Sequence, residues 1–453
     1  MRIKKNGQNL RKHCPHKNLK SSDKRNTRSI NNIPNSLFVR NRKNFASAMK
    51  KNSIAVFTAN EEMPRNGDQC YPFRQNSDFF YLTGIDREGA FLILYPDHPN
   101  PALREILFVE PYSEMKAIWR GEMLDANHAR EISGCENVMY ADNFNDILKE
   151  LILNAETVYL NLYEYSRFET KVVTIQERFV KEIMNQYPFH KFERSAPILN
   201  TLRKIKSEEE IEVMKQACDI TGKAFLHCVK TVKPGRYEYE MQAEMEYIFK
   251  MNNASGHAFH PIVAGGRNAC CLHYSKNGSI LNDNDLLLFD MGCEYKNYAS
   301  DLSRTIPVNG KFTPRQKECY EAVLRVKKEI TKLYKIGHTI DEINRTTYAL
   351  MEKEMIKLGL FTQQDVDNQD PEKPMYKKYL MHGMAHHVGL DCHDNLDKYE
   401  PFKAGMVLSC EPGIYIREEG IGIRLEDDIL ITENEPINLF GDLPIEIEDL
   451  ARL

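Results

Sequence analysis

Hydrophobic positions follow a different pattern in each half of the chain. In the first half, short apolar runs alternate with segments of helical period, an order typical of an α/β domain. The predicted strands are 53–57, 89–95, 105–110 and 157–162. The predicted helices are 38–50, 147–154 and 170–186.

The second half groups its helices and strands in blocks, which predicts an α+β domain. Ser207 and Glu210 form a Ser-x-x-Glu capping box, so a long amphipathic helix should begin there. Further helices are predicted at 239–251, 315–334 and 340–358, and short strands within 259–310 and from 379 to 432. We predict a basic disordered extension at 1–35, a first domain at 36–200 and a second domain at 201–453.

Charge is unevenly distributed along the 453 residues, although the formal net charge is only −4. Residues 1–50 carry 14 Lys and Arg against one acid, Asp23, whereas the rest of the chain carries 47 basic and 64 acidic residues. The acidic body argues against nucleic acid as the main ligand. For residues 1–35 we favour a solvated tail over a mitochondrial transit peptide or a basic arm for RNA or membrane surfaces. No apolar run reaches the roughly 18 residues of a membrane span.

The cysteines bear on the cellular compartment. All eleven are scattered, and no C-x-x-C pair occurs, so no thiolate zinc site or redox motif is predicted. This distribution is typical of a reducing cytoplasm, where we expect the protein to be located. We expect the adjacent Cys270 and Cys271 to be buried residues of a strand.

Two aspartates frame a predicted hairpin. Asp290 ends an apolar run, and Asp301 lies eleven residues later, with a polar turn at Lys296 and Asn297 between them. A hairpin would bring both carboxylates together on neighbouring strands. Because a buried carboxylate without a partner is costly, Asp290 needs one. Each aspartate taken alone also fits a turn cap.

Two glutamates repeat this arrangement near the C-terminus. Glu411 directly follows the apolar run 407–410. Arg424 and Glu426 would share one face of a strand, opposite Leu425. In isolation this second pair also fits a surface ion pair.

Histidines are concentrated between these acids. Eight of the fourteen lie from His257 to His393, and Gly383 after His382 excludes the H-E-x-x-H zinc motif. Four carboxylates and one imidazole could hold two divalent cations, whose charges balance, and oxygen-rich ligation favours Mn²⁺ or Co²⁺. Two such cations can share a water or hydroxide, lower its pKa and polarise a carbonyl, so the pattern predicts a hydrolase.

The order Asp-x₁₀-Asp, His, Glu and Glu resembles the pita-bread metallopeptidase family, and within it the Xaa-Pro aminopeptidases (aminopeptidase P). The resemblance covers about residues 36–450 and rests on the segments 71–84, 272–274, 289–295, 300–310, 381–383, 390–394, 410–415 and 422–428. It implies an N-terminal domain of the creatinase/aminopeptidase P type and a pita-bread catalytic domain. The implied activity releases the N-terminal residue from peptides with proline at the second position. Prolidase, creatinase-type hydrolysis, methionine removal and a non-catalytic binding protein on the same fold are the alternatives.

The resemblance also implies the metal ligands. Asp290 would bind one metal, Asp301 and Glu426 would bridge both, and His386 and Glu411 would complete the shell of the other. A bridging hydroxide would attack the scissile carbonyl. Mn²⁺ is the favoured metal, with Co²⁺, Zn²⁺ and Fe²⁺ as alternatives.

Further roles are implied for residues around the metals. Glu411 would transfer the proton of the nucleophile towards the proline nitrogen, and His393 and His273 would contact the substrate or the developing oxyanion. His382 would line the pocket of the leaving residue. Arg424 would pair with acidic residues around the metals and so orient the metal ligands.

One substrate contact would come from a second copy of the chain. The only tryptophan, Trp119, matches a residue that reaches the active site of a neighbouring subunit in bacterial relatives, although core packing is an equal alternative. A homodimer or homotetramer is therefore expected. Phe259 departs from the family, which often has Tyr there, and His260 and His387 match no assigned family position.

Overall fold

A computed structural model describes residues 33–165, 167, 170–394 and 397–450. The predicted N-terminal extension therefore lies outside the described residues, apart from its last three. The seven helices of the first half are α1 Asn35–Ala48, α2 Ser77–Thr83, α3 Glu114–Arg120, α4 Ala126–Ser133, α5 Phe144–Ile152, α6 Ile175–Gln186 and α7 Ala196–Lys204. Its strands are β1 Ser53–Thr58, β2 Pro64–Asn66, β3 Gln69–Cys70, β4 Phe91–Leu94, β5 Glu105–Val109, β6 Val138–Tyr140, β7 Thr157–Leu160 and β8 Lys191–Arg194.

Six of these strands form one mixed sheet in the order β6-β5-β4-β1-β7-β8. Neighbours pair in parallel except β1 with β4 and β4 with β5. Alternate residues of β1 enter different apolar clusters: Ile54 and Val56 pack with α5 and α6, whereas Ala55 and Phe57 pack with α1 and α2. Because both faces are covered, the strand is a continuous apolar run. The predicted α/β class of the first half is confirmed.

Helix α2 is defined by side chains at both ends. The Asn76 side chain accepts hydrogen bonds from the backbone N–H groups of Asp78 and Phe79. At the other end, Gly84 has φ of 68°, and a Cβ there would lie 2.3 Å from the Phe38 ring. Helix α6 starts five residues later than predicted because Thr174 caps it by accepting from the N–H of Glu177.

The second half adds six helices within the described residues: α8 Glu208–Thr231, α9 Glu238–Met251, α10 Pro314–Thr331, α11 Ile340–Lys357, α12 Gln363–Asp367 and α13 Ile447–Leu450. Its described strands are β9 Gly256–His257, β10 Ile262–Gly265, β11 Leu286–Met291, β12 Cys293–Tyr295, β13 Tyr298–Ala299, β14 Leu302–Pro307, β15 Val407–Cys410, β16 Gly413–Ile416, β17 Ile421–Arg424, β18 Asp427–Leu430 and β19 Ile437–Asn438. The capping box of Ser207 and Glu210 is present at the start of α8.

These strands form small antiparallel sheets, with the orders β10-β11-β14, β13-β12-β9, β15-β18-β19 and β16-β17. The predicted α+β class is therefore confirmed. Strands do not return at 379, however. A short 3₁₀ turn precedes Tyr379, and the described residues of 379–394 and 397–406 form no strand apart from one bridge between His387 and Leu408. The regular strands begin at Val407.

The prediction for the adjacent cysteines is wrong in two respects. Cys270 is buried but ends a 3₁₀ turn rather than lying in a strand, and Cys271 is exposed. Within the described part of the chain, no helix combines the length and the apolar character needed to cross a membrane.

Candidate active site and metal centre

The first two acids are brought together by the pairing of β11 with β14. Asp290 lies opposite Ser303 in this antiparallel register, and Asp301 directly precedes β14. The chain reverses between them at Lys296 and Asn297, whose φ angles of 50° and 67° are left-handed. The predicted turn is therefore confirmed, and both carboxylates line one cavity.

The other two acids come from strand ends beside this pair. Strand β15 pairs with β18 so that Cys410 lies opposite Asp427, which places Glu411 and Glu426 just beyond the paired residues. The Ser303 hydroxyl donates to Glu426 Oε2 at 2.7 Å, and the N–H of Glu426 donates to the Ser303 carbonyl at 2.9 Å. These two hydrogen bonds thus join the β10-β11-β14 sheet to the β15-β18-β19 sheet at the ligand cluster.

The imidazole of His386 completes the cluster from an irregular loop. Its Nδ1 lies 3.1 Å from the carbonyl of His387, so Nδ1–H donates there and Nε2 faces the acids. Nε2 is 3.4 Å from Asp301 Oδ2 and 3.8 Å from Glu411 Oε1. Asp301, His386 and Glu426 each offer a ligand atom, and these atoms lie within 4.8 Å of one another.

The protonation of the cluster fits a metal site. Burial and the neighbouring carboxylates raise the pKa of Asp290, Glu411 and Glu426, although Arg424 opposes the shift. Asp301 Oδ1 is buried and has no hydrogen-bond partner. The negative charges of four carboxylates in one cavity repel one another, and two divalent cations would balance them and supply a partner for Asp301 Oδ1. The residues present therefore fit two divalent metal ions.

Arg424 lies behind the cluster and is buried. It is paired with Asp290 Oδ2, its Nε donates to the Ser303 hydroxyl at 2.8 Å, and its Nη1 donates to the Tyr415 hydroxyl at 2.9 Å. One guanidinium therefore orients one candidate ligand directly and, through Ser303, a second ligand, Glu426.

Three predicted histidines line the same cavity of about 570 Å³, namely His273, His382 and His393. His382 Nε2 is 2.9 Å from the Tyr415 hydroxyl, and the rings of His393 and His386 are 4.2 Å apart. Burial, and then Arg424, lower the pKa of His382 to about 3, while burial and His386 lower that of His393 to about 4. Both rings are therefore neutral near pH 7 and can accept or donate hydrogen bonds.

Trp119 is not brought to this cavity by its own chain. It lies on α3 with 80% of its surface exposed, and the cavity-lining residues that the structure describes do not include it. Core packing of Trp119 is thereby excluded. Contact with a second copy of the chain stays a prediction.

Several residues of the site were not predicted. The Cys392 thiol donates to Asp301 Oδ2 at 3.0 Å, and Asp428 Oδ2 accepts from the N–H of Asp301 at 3.0 Å. Tyr415 holds both His382 and Arg424, and Arg167 lines the cavity. Cys392 and Tyr415 lie inside recognised motifs, but only the folded chain shows what they contact.

The family departures are also resolved. Phe259 and His260 both line the cavity, so an apolar ring stands where relatives often have Tyr. His387 is buried behind His386, and burial and nearby lysines lower its pKa well below the usual value. Its contribution is structural, through a carbonyl that fixes the His386 ring.

Comparisons with known proteins agree with this geometry. The family model of metallopeptidase family M24 matches residues 212–433, and that of the aminopeptidase P N-terminal domain matches residues 38–159. The Xaa-Pro aminopeptidase of Haemophilus influenzae is 34% identical over 433 residues, which cover 93% of this chain and 97% of the relative. Intermediate cleaving peptidase 55, mitochondrial, of Arabidopsis thaliana is 30% identical and aligns over 92% of this chain and 82% of its own length. The solved structure of Escherichia coli aminopeptidase P with the inhibitor Pro-Leu has a TM-score of 0.84 at 32% identity, covering 93% of this chain and 98% of that one.

Proposed function

The chain belongs to the Xaa-Pro aminopeptidases of metallopeptidase family M24, and we propose that it releases the N-terminal residue from peptides with proline at the second position. The predicted combination of an aminopeptidase P N-terminal domain with a pita-bread catalytic domain is confirmed. The observation that carries the proposal is that one cavity is lined by all five candidate ligands: Asp290, Asp301, His386, Glu411 and Glu426. The name of the Haemophilus relative supports the substrate class.

The five ligands divide between two cations in this proposal. Asp290 would hold one cation, His386 and Glu411 would hold the other, and Asp301 and Glu426 would contribute to both. Ligand atoms of Asp301, His386 and Glu426 lie within 4.8 Å of one another, which supports a cation at this part of the cavity. Two divalent cations held there would supply the acidity of a water nucleophile and the polarisation of the scissile carbonyl. Mn²⁺ is the proposed metal because the donors are mainly carboxylate oxygens.

The residues of the chain handle the protons and the substrate. Glu411 accepts the proton of the attacking water and delivers it to the proline nitrogen, a role open to a carboxylate that lines the cavity. His393 and His273 contact the substrate carbonyl as its charge develops. His382, held by Tyr415, lines the pocket for the leaving residue, and Arg424 keeps Asp290 and Glu426 in place.

Selectivity for proline follows from the bond that is cleaved. An Xaa-Pro bond is a tertiary amide without an N–H, and its proline φ is fixed. General peptidases handle the Xaa-Pro bond poorly. An active site accepts this bond if it makes no contact that requires an amide N–H and has room for the proline ring. The partly buried apolar ring of Phe259 in the cavity wall suits a proline ring better than a tyrosine hydroxyl would.

The remaining assignments belong to the same proposal. We place the two domains at 36–200 and 201–453 and the protein in the cytoplasm. We further propose that the active protein is a homodimer or homotetramer in which Trp119 reaches a neighbouring subunit. The exposed apolar side chains of Met115, Ile118 and Trp119 on α3 support a contact between copies.

A matched set of peptides tests the proposed reaction. Chelator-treated protein is assayed with and without Mn²⁺ on an Xaa-Pro-Yaa tripeptide, the Xaa-Pro dipeptide and an Xaa-Ala-Yaa control. Metal-dependent release of Xaa from the tripeptide, without cleavage of the alanine control, is expected. Cleavage of the dipeptide alone would instead identify a prolidase. Metal-loaded protein that cleaves none of the three would refute the proposed substrate class and leave only the fold assigned.

A further inference from the structure

A buried acid at the start of α9 lies behind one wall of the cavity. The carboxylate of Glu238 is fully buried and accepts four hydrogen bonds of 2.7–2.8 Å, which come from the N–H groups of Gly265 and Ser279, the side-chain amide of Asn268 and the hydroxyl of Tyr274. Because a buried carboxylate without donors is costly, the fold has to maintain this set of donors around it. Glu238 is therefore a fixed point behind the cavity.

All four donors belong to the single segment 265–279, which forms part of the cavity wall. After its 3₁₀ turn, this segment has no helix or strand from 271 to 279. Within 272–276, the hydrogen bonds that the structure describes all involve the Tyr274 hydroxyl, which donates to Glu238 Oε2 at 2.8 Å and lies 3.5 Å from Ser279 Oγ. Glu238 is thus the main anchor of this stretch.

The position of His273 depends on this anchor. Its ring lines the cavity next to Tyr274, and among the described contacts it makes no hydrogen bond of its own. The ring of His382 differs, since its nitrogens lie 2.8 Å from the Gly383 carbonyl and 2.9 Å from the Tyr415 hydroxyl. The backbone of the segment therefore places the His273 ring, and the bond from Tyr274 to Glu238 holds that backbone.

We infer that Glu238 is a positioning residue for the proposed reaction: through Tyr274 it holds His273 at the place where that ring meets the substrate. The inference rests on the proposed function, in which His273 contacts the substrate carbonyl as its charge develops. A displacement of about 1 Å at such a contact can cost about 100-fold in rate. Because the contact strengthens in the transition state, the loss should appear in kcat rather than in KM.

Two substitutions test the connection from its two ends. Glu238→Gln places an amide NH₂ group among four donors, whereas Tyr274→Phe removes only the hydroxyl and keeps the ring, so it puts the fold at less risk. Both should lower kcat for an Xaa-Pro-Yaa tripeptide about 10–100-fold in the Mn²⁺-loaded full chain, with KM changed by less than about threefold and metal content unchanged. The controls are Glu240→Gln, which can keep its capping bond to the N–H of Tyr237, and Tyr239→Phe, which alters an exposed ring of α9. Neither control should change kcat.

A His273→Ala background separates positioning from a general loosening of the fold. If the anchor acts through His273, adding Tyr274→Phe to His273→Ala should lower kcat no further, because the ring that it positions is absent. An equal loss of kcat in both backgrounds overturns the inference, as does a metal-loaded Tyr274→Phe protein with wild-type kcat. A loss confined to KM also overturns it. A wild type that cleaves no tripeptide would instead refute the proposed function, and the inference with it.

Discussion

Arg203 on α7 donates a hydrogen bond of 2.6 Å to Asp394 of the loop that carries His393. The same guanidinium contacts Asp391 at 2.7 Å and Asp78 of α2 at 2.7 Å, and it is only 5% exposed. One arginine thus ties the first half of the chain to the loop that lines the metal cavity.

Replacing this arginine is expected to destabilise the protein strongly. Arg203→Ala removes the guanidinium that three buried or half-buried carboxylates share and leaves Asp394 with the longer Lys206 contact of 3.5 Å, which costs about 3–5 kcal/mol in the free energy of unfolding. Peptidase activity should fall with it, since the loop that presents His393 loses its anchor. Urea denaturation measures the effect.

An exposed arginine provides the control for that experiment. Arg194 pairs with Glu164 at the surface, so Arg194→Ala should change the free energy of unfolding by no more than about 1 kcal/mol. Equal effects of the two substitutions would contradict the role assigned to Arg203.

Gly292 permits the close approach that brings Asp290 and Asp301 together. A Cβ at this position would lie 1.8 Å from the Ser300 carbonyl oxygen, which is backbone and cannot move aside alone. Gly292→Ala should therefore destabilise by more than the roughly 1–3 kcal/mol of ordinary overpacking and reduce metal binding. Thermal unfolding and metal analysis measure the two effects.

Gly256→Ala is the matched control, because a Cβ there meets no atom within 4 Å. It should change stability by only about 0.5 kcal/mol. A stable Gly292→Ala protein with full metal content would show that the hairpin has more freedom than the structure indicates.

The pH dependence of the metal-stripped protein follows from the cluster. Burial alone would lower the pKa of His386, but the hydrogen bond to Asp301 and the charge of Glu411 raise this pKa to about 9. Burial raises the pKa of Asp290 and Glu411, because it disfavours a charged carboxylate. Because the folded state then holds more protons than the unfolded state, the free energy of unfolding falls as pH rises. Burial keeps the pKa of His382, His387 and His393 low, which opposes this fall below about pH 6.5, so the fall should be seen from about pH 6.5 to about pH 9.

Added Mn²⁺ should remove much of this dependence, since a cation takes the place of the bound protons. Melting temperatures in chelator and in excess Mn²⁺, between about pH 7 and 9, give the comparison. A stripped protein whose melting temperature stays constant or rises over that range would refute the described electrostatics.

Local patterns predicted those parts of the site that depend on neighbouring residues. Asp290 and Asp301 could be paired because an apolar run, a turn and a second strand lie within twenty residues. His386 could be assigned only through the family resemblance, since the described residues around it at 379–394 have little regular structure and no hydrophobic period.

Contacts between distant segments could not be predicted. The thiol of Cys392 lies 91 residues from Asp301 in the chain, and Arg203 lies 191 residues from Asp394. Cys271 was wrongly expected to be buried because composition alone does not reveal that the preceding 3₁₀ turn directs it outward.

The central claim is that shared carboxylates hold two cations on which peptide cleavage depends. The most direct measurement is the metal content and tripeptide turnover of Asp301→Ala, beside Asp283→Ala, which removes an exposed acid outside the cavity. Asp301→Ala should lose both metals, with affinity reduced beyond the roughly 100-fold typical of outer contacts, and should lose turnover, whereas Asp283→Ala should keep both. An Asp301→Ala protein that retains two metals and near-wild-type turnover would contradict the account.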